Sequence, residues 1–274
     1  MVKRFSYFIV FISSLAFGNS IDYAVISLLG GQEFKENQKF IQRLFVKEQN
    51  FTDENGNANI YKVAKTLKAN GLLKLSFQGP KELEASFFVE GNPATFVNVL
   101  HNVLNAMGYY YFMTKKSVLE NGDYSFTLAM NTEYAIDPVL LFENLNKYGY
   151  KITNIQKQSL TQWDYQIIEQ GFKYPKAMNL ELDSLKNDLN LSGEYWYKIN
   201  TGKSLEINSP YKTWYPKIAF YNGNLELIDI VLEEKAMKKF IVEIPQNVVY
   251  IKITDKYVPS NVKGGLSVML KSQK

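Results

Sequence analysis

The chain has 274 residues, is 46% hydrophobic and 15% aromatic, and contains 16 Gly, 8 Pro and no Cys. Collagen-like, disordered and disulfide-stapled classes are therefore excluded. The missing Cys removes thiolate nucleophiles, iron–sulfur clusters and Cys-based zinc sites, and a single His removes any site built on two imidazoles.

Residues 1–20 read as a secretory signal. Lys3 and Arg4 open it, Phe5 to Phe17 form an apolar run, and the small residues Ala16, Gly18 and Ser20 follow. Cleavage is expected after Gly18 or Ser20. The run is shorter than the ~20 residues a membrane span needs. Losing Lys3 and Arg4 takes the formal charge from +4 to +2, which disfavours a nucleic-acid partner. The expected location is periplasmic, with the membrane reached only if the signal stays uncleaved.

Residues 21–70 read as a helical segment after a short lead. Phe34, Phe40, Ile41, Leu44 and Phe45 share one helix face. Ile60, Val63, Ala64 and Leu67 make a second stripe, stopped by Asn70-Gly71. The intervening Asp53-Glu54-Asn55-Gly56-Asn57 loop mimics a calcium loop. With Gly56 at position six, however, Phe51 and Lys62 would fall on ligand positions one and twelve. It reads as an ordinary turn.

Residues 71–170 contain an internal repeat. A strand at Ala85 to Glu90 leads through Asn92-Pro93 into a helix carrying Phe96, Val97, Leu100, Val103, Leu104 and Met107. Gly108 ends that helix, and a strand is expected over Tyr109 to Met113. The pattern recurs as a strand at Tyr124 to Met130, a helix opened by Asp137-Pro138 and ended by Gly149, and a strand at Tyr150 to Ile155. Asn121-Gly122 suits the central hairpin, and a further strand is expected at Asp164 to Glu169. Together this is the βαββαβ, ferredoxin-like plan.

Residues 171–193 read as a linker with a candidate short helix around Leu180 to Leu189. Residues 194–274 show short strands and turn signals typical of a β-sandwich. The candidate strands are Tyr195–Ile199, Ser204–Asn208, Lys217–Tyr221, Leu225–Leu232, Lys239–Ile244, Val249–Thr254 and Leu266–Leu270. The fold class is thus α+β: a helical N-terminal lead, a ferredoxin-like domain, then an all-β sandwich.

No catalytic constellation emerges. His101 sits on the flank of its helix, and no nucleophile elbow accompanies it. Gly30-Gly31 and Gly264-Gly265 lack the context of a phosphate loop. Glu233-Glu234 lies in an expected exposed turn, and no carboxylate pair is placed for glycoside hydrolysis. No metal site and no cofactor are expected.

Two features point to binding or modification. Trp196, Tyr211, Trp214 and Tyr215 could form a platform that stacks on sugar rings. Sandwich-core packing is the plainer role for such rings, and a platform requires that they face solvent. Glu48-Gln49-Asn50-Phe51-Thr52 and Asp188-Leu189-Asn190-Leu191-Ser192 each read acid-x-Asn-x-Ser/Thr, the extended acceptor sequon of bacterial periplasmic N-glycosylation. Asn190, in the expected linker, ranks above Asn50, whose backbone a helix end would hold.

These sequons, the Lys/Asn/Tyr-rich composition, the signal and the stretch Trp214-Tyr215-Pro216-Lys217-Ile218-Ala219-Phe220-Tyr221 resemble uncharacterised periplasmic proteins of epsilon-class proteobacteria. The last third is similar to small secreted β-sandwich modules appended to bacterial peptidases. A ferredoxin-like unit resembles ring-building and pilus- or secretion-assembly modules, which pack against copies or partners. The expected function is a non-enzymatic periplasmic scaffold or adaptor with an envelope protein partner. The alternative is a glycan- or peptidoglycan-binding protein using the sandwich aromatics.

Overall fold

The computed structural model describes residues 20–120, 122–210 and 213–272. All of the expected signal except Ser20 lies outside that range, as do Tyr211 and the Asn121 half of the hairpin signal. The fold is mixed α+β.

The expected lead is itself a helix, α1 (Ser20–Leu29), which buries Ile21, Val25, Leu28 and Leu29. Of the predicted stripe, Phe34 and Ile41 of helix α2 (Gly31–Leu44) and Phe45 at its C-terminal cap are buried, and Phe40 is exposed. Helix α3 (Ile60–Ala69) buries all four of its predicted residues. Asn70-Gly71 stops it through paired bonds, Leu72 N–H to Leu67 O and Gly71 N–H to Lys68 O, with Gly71 at φ 71°. That geometry needs a residue without a Cβ penalty.

Strand β1 (Ser76–Glu90) alternates over its second half. Leu83, Ala85, Phe87 and Val89 face the core, while Glu84, Ser86 and Phe88 face away. Helix α4 (Pro93–Ala106) starts where Asn92 accepts the Thr95 N–H and hydroxyl. The next strand, β2 (Met113–Glu120), begins where the expected strand at Tyr109 to Met113 ends. Tyr109 and Phe112 pack against the core instead. The Tyr109 hydroxyl bonds Ala135 O, and the Phe112 ring meets His101 edge-on at 4.7 Å.

Strand β3 (Asp123–Tyr134), helix α5 (Pro138–Lys147), strand β4 (Tyr150–Lys157) and strand β5 (Gln162–Glu169) follow. Asp137 caps α5 by accepting the Val139 and Leu140 N–H groups. The sheet order is β2-β3-β1-β5-β4, with β1 antiparallel to β3 and parallel to β5. Strand β4 therefore lies at an edge and β5 is inserted beside β1. Strand β5 buries Trp163, Tyr165 and Ile167, which suits a central place, while α1, α3 and α5 pack against β4. One apolar cluster runs from Ile21 through Leu67 to Ile167, so the N-terminal helices and this sheet share a core.

The expected short helix around Leu180 to Leu189 is replaced by strands. Strand β6 (Ala177–Asn179) pairs with β8 (Tyr195–Lys198), and β7 (Leu185–Asp188) pairs with a later strand. The apolar residues Leu180, Leu182, Leu185 and Leu189 do not make a helical stripe, because Asp183 turns the chain with φ 53°. Two short stretches of residues 171–193 are therefore built into sheets.

The remaining strands lie close to their predicted places: β9 (Ser204–Asn208), β10 (Pro216–Tyr221), β11 (Leu227–Leu232), β12 (Lys239–Glu243), β13 (Tyr250–Asp255) and β14 (Leu266–Lys271). They form two sheets, β11-β10-β13-β8-β6 and β12-β9-β14-β7. Both sheets feed a second apolar cluster, with Tyr195, Tyr197, Phe220 and Ile253 from one and Leu205, Ile207 and Val268 from the other.

The halves touch. Gln170 N–H bonds Gly149 O, and Lys173 N–H bonds Tyr148 O. A Cβ at Gly149 (φ 82°) would lie 2.2 Å from Gly171 O, so only glycine allows this approach. The Phe172 ring stands between Tyr150 of the first core and Tyr250 of the second sheet, at 6.5 and 6.2 Å.

Candidate functional site

Alternation decides the fate of the sandwich aromatics. Tyr195 and Tyr197 point into the core, so Trp196 between them must point out. Trp196 is half-buried on the outer surface of its sheet. Trp214 is 0% exposed and its indole N–H donates to Thr254 O at 3.0 Å, so it is a core residue and cannot serve as a platform. Tyr215 is half-buried and meets Tyr257 edge-on at 5.0 Å. Its backbone N–H is one of three held by the buried Asp255 carboxylate, with those of Tyr257 and Val258. Trp196 lines a cleft, and neither Trp214 nor Tyr215 joins it there.

That cleft, about 300 Å³ in volume, opens between the start of α4 and the outer face of the β11-β10-β13-β8-β6 sheet. Its aromatic wall is Trp196, Tyr174, Tyr221 and Tyr148. Tyr174 packs edge-on to Trp196 at 4.6 Å, and Tyr221 lies tilted against the same ring at 5.2 Å. The facing wall is Asn98 and Asn102, four apart on α4 and joined by an Nδ2–Oδ1 bond of 3.3 Å. The floor comes from the hairpin at Asn222-Gly223-Asn224. The Thr95 hydroxyl reaches across to Asn224 O at 2.8 Å, tying α4 to the sheet. The hairpin folds on Asn222, which accepts the Asn224 and Glu226 N–H groups and donates to the Glu226 carboxylate at 2.6 Å.

The electrostatics are plain. Among the described residues no Lys, Arg or His lines the cleft and Glu226 is the one carboxylate that does; Lys252, paired with Glu194, lies over the Trp196 ring at 5.5 Å. Burial pushes the Tyr174 phenol up to about 12, and it also raises those of Tyr148 and Tyr221. All three keep their protons at neutral pH and offer hydroxyls rather than phenolates. The cleft can therefore present flat aromatic surface beside amide and hydroxyl hydrogen-bonding groups, with little net charge.

The sequence singled out Trp196 but missed Tyr148, Tyr174, Tyr221, Asn98, Asn102 and Glu226. Asn98 and Asn102 read as the solvent face of a helix, which they are; the second sheet happens to stand opposite. His101, one turn from Asn98, is exposed and does not line the cleft. Among the described residues no group of three His, Asp or Glu could hold a metal. No described helix is long and apolar enough to cross a membrane.

The two sequons differ in geometry. Asn190 is half-buried in the tight turn before β8. Its side chain donates to Glu194 O at 2.7 Å and accepts from the Ser192 N–H and hydroxyl. Asn50 is exposed at the end of a short 3₁₀ turn, Glu48–Asn50.

No protein-family model matches the chain, and no curated protein matches it. Among solved structures, a chain from the crystal structure of accessory secretory protein 1, 2 and 3 in Streptococcus pneumoniae is similar over 28% of this chain and 57% of its own length, at 14% identity and a TM-score of 0.20. A likeness that slight carries no argument about fold or function.

Proposed function

We propose that this is an exported, non-enzymatic protein of the bacterial envelope that binds a neutral saccharide in the cleft between its halves. The observation that carries the reading is the pairing of a Trp196–Tyr174–Tyr221 aromatic wall with the uncharged Asn98–Asn102 wall. Sugar rings offer axial C–H faces that stack on aromatics and rim hydroxyls that bond carboxamides. Phosphorylated ligands need unpaired cations, and Lys252, which lies over the Trp196 ring, is already paired with Glu194. Glycoside hydrolysis needs two carboxylates flanking one bond, and Glu226 stands in the cleft as one.

The surrounding architecture fits a binding module. The run β1-α4-β2-β3-α5-β4 follows the ferredoxin-like plan, elaborated by β5, and the two later sheets stack as a sandwich over their common core. Export fits a leader cleaved after Gly18. Ile21 is 1% exposed in α1, and cleavage after Ser20 would place a charged ammonium on that buried residue and at the positive end of the helix.

The scaffold reading draws on a separate feature, the exposed apolar edge strands β2 and β11.

Titration with neutral oligosaccharides, followed by tryptophan fluorescence and calorimetry, tests the binding reading. Trp163 and Trp214 are buried, so a fluorescence change on binding reports Trp196. The expected result is saturable binding that Trp196→Ala weakens about tenfold or more, as loss of a stacking ring worth about 1.5 kcal/mol would do. Asn98→Ala should weaken it less. Absence of binding across a broad panel of neutral glycans, or full affinity in Trp196→Ala, overturns the reading.

A further inference from the structure

The hairpin that floors the cleft contains a backbone outlier. Asn222 O accepts the Leu225 N–H at 3.1 Å, and Leu225 then takes the left-handed conformation, φ 59°. Glycine and the short polar residues adopt that conformation readily; leucine does not. Among the described residues the other non-glycine cases are Asp183 and Asn247, both of the tolerant kind. Leu225 belongs to neither apolar core cluster, and it lines the cleft. Strained residues persist where the surrounding structure holds them, and they concentrate at binding sites.

Leu225 gives an otherwise polar wall an apolar corner. The Thr95–Asn224 bond of 2.8 Å brings the hairpin against the first turn of α4, where Ala94 and Val99 line the same cleft. Ala94, Asn98 and Asn102 follow one another along a single face of that helix. Asn102 Nδ2 donates to Asn98 Oδ1 at 3.3 Å. Asn98 thereby keeps its own N–H donors, and Asn102 keeps its carbonyl acceptor. A donor beside an acceptor is the complement of one amide, whose C=O accepts and whose N–H donates. A cationic substituent finds less here. The Glu226 carboxylate is bonded by Asn222 at 2.6 Å, and Lys252 lies over the Trp196 ring at 5.5 Å.

We propose that the cleft selects saccharides carrying an N-acetylated amino group, with the acetyl methyl against Leu225, Ala94 and Val99 and the amide on Asn98 and Asn102. The inference rests on the saccharide reading and sharpens it. The sugar ring stacks on the aromatic wall, and the facing wall reads the substituent. Asn98 Nδ2 donates to the acetyl oxygen, and the amide N–H donates to Asn102 Oδ1. A plain hydroxyl in that place leaves the apolar corner unfilled. An ammonium there loses water against leucine and valine side chains and gains no apolar contact.

Calorimetric titration of the exported protein with matched sugars tests the proposal. One set is cellotriose, triacetylchitotriose and the chitosan trimer, which differ only in a hydroxyl, acetamido or amino group on each ring. The second set is galactose, N-acetylgalactosamine and galactosamine. In at least one set the acetylated member should bind about tenfold more tightly than its partners, as a buried methyl and an added hydrogen bond would give. Leu225→Gly and Asn98→Asp should each bring that ratio close to one. Glycine suits the left-handed backbone, so the melting temperature of Leu225→Gly should not fall. Asn98→Asp still accepts from Asn102 and loses only its donor. Equal binding of hydroxyl and acetylated sugars overturns the inference and leaves the saccharide reading standing. So does either variant that keeps the full preference, or a Leu225→Gly protein that melts lower and loses every sugar in equal measure. Tightest binding of the amine overturns both readings, because that sugar is charged. If no sugar binds, the saccharide reading falls and this inference falls with it.

Discussion

At the scale of single residues, Glu206 shows how one carboxylate can tie a sheet together. It lies on the central strand β9, bonded by Lys239 from β12 and by Lys271 from β14. Its side chain is 13% exposed, so the pair with Lys239 is partly shielded from water. The Lys239 bond first, and the Lys271 bond second, hold its carboxyl down to about 2. A carboxyl that is more acidic folded than unfolded adds stability at pH values above its ordinary pKa, and that stability is lost as pH falls toward the folded value. The melting temperature should therefore drop between about pH 4.5 and about pH 2. Glu206→Gln should be less stable at neutral pH and should show a flatter decline across that window in thermal melts followed by circular dichroism. A variant with the wild-type acid profile would show that other carboxylates govern it. By contrast, Trp196 and Trp214 share residue type and neighbourhood, but one lines a cleft and the other fills a core. Trp196 lies between the inward-facing Tyr195 and Tyr197 of β8, whereas Trp214 stands just before β10, an even number of residues from its inward-facing Ile218 and Phe220.

At the scale of elements, local chemistry explains most of what was legible. Asn92-Pro93 and Asp137-Pro138 start helices because a side-chain acceptor meets free N–H groups where proline costs nothing. Asn70-Gly71 ends one because only glycine takes the left-handed turn cheaply. The stretch after Gln170 was less legible. Its two strands are 3 and 4 residues long and take their partners from β8 and β14, so nothing local marks them. This changes the ranking of the two sequons. An acceptor Asn must be drawn out of its fold to be modified. Asn190 would first break its bonds to Glu194 and Ser192 in a turn packed between strands, whereas Asn50 is exposed at a loop entry. In a host carrying the glycosylation machinery, intact-mass analysis should show one glycan, lost in Asn50→Gln and retained in Asn190→Gln. Retention in Asn50→Gln with loss in Asn190→Gln would reverse that order.

At the scale of the whole molecule, two apolar clusters meet through Phe172, the Gly149–Gly171 approach and the Thr95–Asn224 bond. Coupling of this kind makes two cores melt as one cooperative unit only while the contact is worth a few kcal/mol. Phe172→Ala removes a partly buried ring at a cost of about 2 kcal/mol. Calorimetry should then resolve two transitions where the wild type shows one, and saccharide affinity should fall because both cleft walls depend on the docking. A single transition in Phe172→Ala would place the coupling in the backbone bonds at Gly149 and Lys173. The sequence by itself determined the α+β class, the end of α3, the starts of α4 and α5 and the seven later strands, because caps, turns and period-two alternation act within a few residues. It also determined that Cys and paired-His chemistry are excluded, since composition alone decides that. Only the tertiary structure decided that β5 inserts beside β1 and that residues 177–179 and 185–188 join the sheets. It alone decided that Trp214 is core and that Asn98 faces Trp196 across a cleft. Those outcomes depend on which surfaces meet when two cores dock, and residues 98 and 196 have no local pattern that encodes the distance between them.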